Sequence, residues 1–318
     1  MLIIDDVCSF LTPRLVRTIR ESGREIVGVF DPVDAPDAKR HLLECGITDV
    51  IEADAAPEEF LAAAAAMLIH RAEPRPMTPK ISSCFRVGVL GPVGGVGTTE
   101  IAIGLASSLA RRRSTILVDL DQMTPSLAQR LDLPLHPNLL TAVDAAHYSA
   151  GGVREAILSH ESVDVVGGLV KSGALRELAP VEVEGLLDEI GSTGYQVLVA
   201  DLGAPAPDDL DLLRFHVLIV VGLANPVGIA RLVRMTHRLV SNLDKPDTVA
   251  VLNRVGPGSG RRQEIRAEMA RLLPTIPVIL LPEDRRLERA SWDGTNLVRG
   301  PFAKSVGSVA SLLDEAVG

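Results

Sequence analysis

Short apolar runs, each closed by aspartate, glycine or proline and followed by a longer stretch of helical periodicity, recur along the chain. Leu2 to Ile4 is an apolar strand ending in Asp5-Asp6, Leu11 to Ser22 an amphipathic helix closed by Gly23, and Glu25 to Phe30 a second strand ending at Asp31-Pro32. A helix over Ala35 to Cys45, a third strand over Asp49 to Ile51 and a helix from Ala56 to about Ile69 complete a small α/β unit, residues 1–70. The last of these helices has proline in its first turn and acids near its positive end. Residues 71–84 carry three prolines among polar neighbours and read as a semi-extended linker.

From residue 85 to 318 the runs are longer and more aliphatic. Val87 to Leu90, Ser114 to Asp121, Val197 to Asp201, His216 to Gly222, Thr248 to Arg254 and Ile276 to Leu281 read as buried strands, and Val163 to Gly168 as a short strand and turn. Between them lie helical segments: Ile101 to Ala110, a stretch beginning near Pro125, Gly151 to Leu158, Pro180 to Ile190, a helix opening at Asn225, and a closing helix over Phe302 to Val317. Leu131 to Val143 reads as a loop running into a short helix. Continuous apolar strands alternating with helices predict an α/β fold, a mostly parallel doubly wound sheet preceded by the smaller unit.

Composition narrows this further. Hydrophobic residues make up 47% of the chain but aromatics only 3%, so the core is aliphatic, as a sheet covered on both faces requires. A net charge of −9 disfavours indiscriminate nucleic-acid binding, and the local basic clusters (Arg111 to Arg113, Arg261-Arg262, Arg285-Arg286) read as solvated ends of elements. The three cysteines have no metal spacing, which predicts a reduced, cytoplasmic setting. There is no basic n-region at the N-terminus, and no apolar run reaches the roughly 20 residues of a membrane span.

The chemistry concentrates at Gly91-Pro-Val-Gly-Gly-Val-Gly-Thr-Thr-Glu100. Strand, glycine turn and helix start together aim backbone N–H groups at an anion, and the glycines permit close approach. A tight turn that only packs a helix onto a sheet is the alternative. The pattern G-x-x-x-x-G-K-[ST] is incomplete: Pro92 stands at the first glycine and Thr98 at the lysine, while Gly97 and Thr99 keep the second glycine and the hydroxyl. Asp119 and Asp121 share one side of a strand end, suited to Mg²⁺ or water, or to capping the next helix. Asp201 ends another strand. Asn253 can read a purine edge or simply form a turn.

Taken in order, the segments G-P-V-G-G-V-G-T-T, I-L-V-D-L-D, Y-Q-V-L-V-A-D-L-G-A-P, V-L-N-R and I-P-V-I-L-L-P-E-D resemble the MinD/ParA family of P-loop ATPases over residues 85–318. The first 70 residues, with C-G-I-T-D-V-I-E-A-D-A-A-P-E-E-F, resemble the second half of a response-regulator receiver, without its β4 hydroxyl and β5 lysine; Asp5 or Asp6 stands where the phosphoacceptor ends its strand, and a docking or dimerisation module is expected. A partial receiver ahead of such a domain resembles the CpaE/TadZ branch, whose members help place Tad-type pili; septum-site and flagellar-number regulators are sister branches.

The resemblance implies a nucleotide site binding ATP or ADP with Mg²⁺. Gly94, Gly95, Val96, Gly97, Thr98, Thr99 and Glu100 would form the phosphate turn, with Thr99 on the metal. Asp201 would hold Mg²⁺ through water, Asp119 would support the metal shell, and Asp121 would place the attacking water. Asn253, Arg254, Pro282, Glu283 and Asp284 would frame the adenine. The family's dimer-crossing lysine falls on Val93 and its phosphate lysine on Thr98. A homodimer that docks protein partners of a pilus, secretion or cell-pole complex is therefore expected, with very slow or absent hydrolysis. A slow, partner-activated ATPase, a nucleotide-free scaffold, and septum or flagellar placement are the alternatives.

Overall fold

The computed structural model describes residues 2–5, 11–21, 26–33, 35–48, 50–57, 84–148, 152–169, 180–205, 214–241 and 246–317. The chain divides into two compact units, Met1–Thr78 and Pro79–Gly318. In the first, strands β1 (Leu2–Asp5), β2 (Ile26–Phe30) and β3 (Val50–Glu52) pair in parallel in that order. Helices α1 (Pro13–Glu21) and α2 (Ala38–Glu44) connect them, and Val16, Ile26, Phe30, Leu42 and Ile47 form the core. Asp6, the helix expected to reach Ile69 and the linker lie outside the described residues.

The second unit is built on a sheet of eight described strands. They are β4 (Phe85–Leu90), β5 (Thr115–Asp119), β6 (Leu158–His160), β7 (Val163–Val166), β8 (Val197–Gly203), β9 (Val217–Leu223), β10 (Asp247–Val255) and β11 (Val278–Pro282), in spatial order β11-β10-β9-β4-β8-β5-β7-β6. Every pairing is parallel except β6 with β7. The period-two alternation explains the solid apolar runs: in β8, Val197 and Val199 face one layer while Leu198, Ala200 and Leu202 face the other. Helices α3 (Thr98–Leu109) and α10 (Pro301–Ala316) cover the first face with Ile101, Leu105, Phe302 and Val306. Helices α5 (Leu139–Tyr148), α6 (Pro180–Ser192), α7 (Pro226–Val240) and α8 (Ser259–Leu272) cover the second, through residues such as Val143, Leu187, Leu232 and Met269. The fold is α/β with a mostly parallel central sheet, and it brings the carboxyl ends of β4, β5, β8 and β10 to one edge.

Some elements differ from the sequence reading. The helix expected over Gly151 to Leu158 is a single 3₁₀ turn, Gly152–Ala156, followed by the edge strand β6. The two-residue turn Glu161-Ser162 puts Glu161 at φ 51° without the Gly or Asn that normally announces such a hairpin. Helix α8 has no counterpart in the reading because it buries only Ile265 and Met269, too narrow a stripe to show as periodicity. The strand read as reaching Asp121 stops at Asp119. Among the described residues, no helix is long and apolar enough to cross a membrane.

Candidate nucleotide-binding site

The glycine turn leaves β4 through a hydrogen bond from the Gly91 N–H to the Gly203 carbonyl, 2.8 Å, which ties the ends of β4 and β8 together. Val96 anchors the turn by burying its side chain in the core. Gly94 and Gly95 face open space, with nothing within 4 Å of where a Cβ would stand. Gly97 ends the turn at φ 99°, and a Cβ there would run into the Asn253 side-chain amide. The first intrahelical bond of α3 runs from Ile101 N–H to the Gly97 carbonyl, 3.1 Å. The amides of Thr98, Thr99 and Glu100 therefore have no helical acceptor, and Gly97 supplies no capping side chain. This is an open, amide-lined mouth suited to a phosphate.

The side chains that replace the two expected lysines turn inward. Thr98 is 9% exposed, with its γ-methyl packed against Gly91. Val93 is half-buried against the core layer under α3. Neither places a charge at the turn.

Asp119 and Asp201 sit side by side in the β5–β8 register. Both are 1% exposed, but their surroundings differ. Asp119 accepts from Asp121 N–H (3.1 Å), Ser126 N–H (2.9 Å) and Leu127 N–H (3.0 Å), so it caps α4 (Leu127–Arg130). This is the capping role the sequence left open for the acid pair. Burial pushes its carboxyl up to about 6 against the pull of those amides. Asp201 accepts only one of these backbone bonds, from Gly203 N–H at 3.2 Å, and its buried Oδ2 has no hydrogen-bond partner. Burial first, then the Asp119 charge, push it up to about 8, while the Thr99 hydroxyl and the Gly203 amide pull the other way. A proton held on Asp201 relieves the pair when no cation is near.

Asp121 lies over Gly203, whose φ of 58° and missing Cβ make room for the carboxylate. It accepts from Met123 and Thr124 amides, each at 2.9 Å, and from the Thr124 hydroxyl at 3.1 Å.

On the other side of Gly97 lies a cavity of about 320 Å³ lined by Gly97, Glu100, Arg254 and the Pro282-Glu283-Asp284 turn, among others. Arg254 is exposed at φ 57°, at the bulge where the β10–β11 register shifts. Asp284 is held below the usual carboxylate range by its hydrogen bonds from Arg286. Asn253, read as facing a purine edge or forming a turn, makes two hydrogen bonds within the chain. Its Nδ2 donates to the Val96 carbonyl (2.9 Å) and its Oδ1 accepts from Arg254 N–H (2.9 Å), so it clamps the glycine turn to β10.

Sequence reasoning missed Arg130. Buried at the end of α4, it reaches both Glu100 carboxylate oxygens (2.5 and 3.0 Å) and the carbonyls of Ala290 and Thr295 (3.2 Å each). The start of α3 is thereby locked to α9 (Arg286–Trp292) and the segment after it. Glu100 thus enters the site as a brace. No local pattern reveals the pair, because its members are 30 positions apart.

The residues fit a magnesium ion. A buried carboxylate oxygen without a partner, beside a threonine hydroxyl, is the type of hard oxygen donor that Mg²⁺ takes. Among the described residues, no group of three or more His, Cys, Asp or Glu side chains is set to hold a metal by itself.

A family model described as "CobQ/CobB/MinD/ParA nucleotide binding domain" matches residues 87–297. The chain belongs to this family. Solved structures agree on the fold of the MinD/ParA domain. A ParA family ATPase from Chlorobium tepidum superposes with a TM-score of 0.63 at 17% identity, over 73% of this chain and 100% of that one. The septum-site determining protein MinD of Pyrococcus horikoshii, solved with Mg-ADP, gives 0.61 at 17% identity over 74% and 98%. A MinC:MinD cell division complex from Aquifex aeolicus gives 0.62 at 16% over 73% and 96%. Among curated protein sequences, none matches the chain.

Proposed function

We propose that this MinD/ParA-family chain is a nucleotide-dependent spatial organiser that binds ATP or ADP with Mg²⁺ and hydrolyses it very slowly or not at all. The observation that carries the reading is the combination at one sheet edge of an open amide-lined turn and the unpartnered Asp201 oxygen. Backbone amides at Gly94 to Glu100 would hold the phosphates, Thr99 and Asp201 would hold Mg²⁺, and the cavity beside Arg254 and Pro282 to Asp284 would take the base. Mg²⁺, when bound, supplies electrostatic neutralisation of the phosphate oxygens.

Slow hydrolysis follows from what the turn lacks. Phosphoryl transfer is catalysed mainly by positioned charge, and removing one such donor typically slows a reaction by about 10²–10³-fold. Here Thr98 and Val93 supply none. The output would then be dimerisation and partner docking, with the first unit as a docking module, in assembling or placing pilus or secretion machinery at a cell pole. The solved relatives, among them a septum-site protein, support a positioning role.

Calorimetry with Mg·ATP and Mg·ADP, paired with a turnover assay on the same protein, tests this. The expected result is binding that needs Mg²⁺, is weakened in Asp201→Ala, and comes with turnover far below that of ordinary family members. Rapid turnover without a partner refutes the hydrolysis claim, and no binding of either nucleotide leaves only a scaffold.

A further inference from the structure

Helices α3 and α10 pack closely because Gly104 lies against Val306 and Phe302, and Gly307 lies near Ser108. A groove runs along this contact, on a part of α3 away from its phosphate-facing end, with Gly104, Ser108 and Gly307 in its lining. The larger of its two cavities measures about 310 Å³, at the lower end of the roughly 300–1,000 Å³ typical of small-molecule sites. Arg111, Arg299 and Lys304 line it, and no acidic side chain does. In the adjoining cavity of about 190 Å³, Asp314 is already engaged by Arg113 at 2.7 Å and Arg112 at 3.3 Å. Arg111, Arg299 and Lys304 make no ion pair among the described residues. Three uncompensated cations around one cavity stand out in a chain of net charge −9.

A second observation points the same way. Ser107 lines this cavity, is only 9% exposed, and its Oγ has no hydrogen-bond partner. A mid-helix serine usually returns its hydroxyl to the carbonyl one turn back, and a buried hydroxyl without a partner is unfavourable. Here the buried hydroxyl stays without an acceptor beside the groove.

We propose that the α3–α10 groove is a second ligand site, taking a small molecule that carries a diphosphate or two closely spaced phosphates. Three cations match a group of at least two negative charges, and the unpartnered Ser107 hydroxyl beside them would supply a neutral donor. The site shares α3 with the glycine turn, so an occupant would bear on the same helix that a nucleotide caps.

The test uses the full chain and inorganic pyrophosphate, read by calorimetry at low salt. Gly94→Glu provides the control for the glycine turn. Its side chain enters open space and sets a carboxylate over the amides, so any pyrophosphate held there is lost. In that background, binding is expected to persist, to weaken at least tenfold in Arg299→Gln/Lys304→Gln, and to weaken about tenfold or more in Ser107→Ala, the range of one hydrogen bond to a charged group. Arg299 and Lys304 are exposed, so this pair of changes leaves the unfolding midpoint in place. Loss of all binding in Gly94→Glu, or equal binding in Arg299→Gln/Lys304→Gln, overturns the proposal. So does sedimentation of the chain with phosphatidylglycerol vesicles when pyrophosphate does not bind. Loss of binding in Gly94→Glu would place the pyrophosphate at the turn instead, and the Mg·ATP titration of the unaltered chain reads nucleotide binding there separately.

Discussion

Replacing Arg130 by methionine keeps the apolar stem and removes the charge that joins α3 to α9. The guanidinium is 7% exposed and its partner Glu100 carboxylate 23%. Breaking a buried pair by deleting one member costs about 3–5 kcal/mol, because the other charge is left uncompensated. Glu100 can recover some water at its exposure, so the lower end, about 3 kcal/mol, applies. The Ala290 and Thr295 carbonyls lose their donor at the same time. At roughly 2–4 °C per kcal/mol for a unit of this size, Arg130→Met should lower the melting temperature by about 6–12 °C. Adding Glu100→Gln removes the stranded charge and should restore a substantial part of that loss, giving a coupling energy of more than 1 kcal/mol in the double-mutant cycle. Urea unfolding followed by circular dichroism measures all four corners. A cost under 1 kcal/mol for Arg130→Met, or strict additivity with Glu100→Gln, would refute the claim that this pair braces the site.

Other outcomes follow from the same geometry. Gly97→Ala puts a side chain at φ 99° and against the Asn253 amide, so it should destabilise by about 1–2 kcal/mol or more in urea unfolding, whereas Gly94→Ala should stay within about 0.5 kcal/mol. Asp201 carries a raised carboxyl value, so between about 4 and 8 the folded chain holds a proton that the unfolded chain has released. Stability of the Mg²⁺-free protein should therefore fall as pH rises through that window, and Asp201→Asn should flatten the slope; an unchanged profile would show that this carboxyl is ionised throughout. Thr98→Lys restores an ammonium at the turn and should tighten Mg·ATP binding in calorimetry; no gain would mean that the buried Thr98 position cannot deliver the side chain to the mouth.

Much of the second unit could be read along the chain because its signals are local. A parallel strand buried on both faces needs an unbroken apolar run, and Val197 to Ala200 or Val217 to Val221 can hardly be anything else. The glycine turn was equally legible, since Gly97 must take a positive φ and α3 must start directly after it. Where the signal was weak, the elements were missed: α8 shows only two buried apolar residues and β6 turns without a glycine. The site divides along the same line. Residue type named the acids and the absent lysines. Only the packed chain decided that Asp119 caps α4 while Asp201 keeps an oxygen unpartnered, and that Asn253 holds the turn to β10. Arg130 and Glu100, 30 positions apart, likewise meet only in the folded chain. The physical reason is that backbone conformation depends on neighbours a few residues away, whereas a side chain's partners depend on which distant segments the sheet order sets beside it.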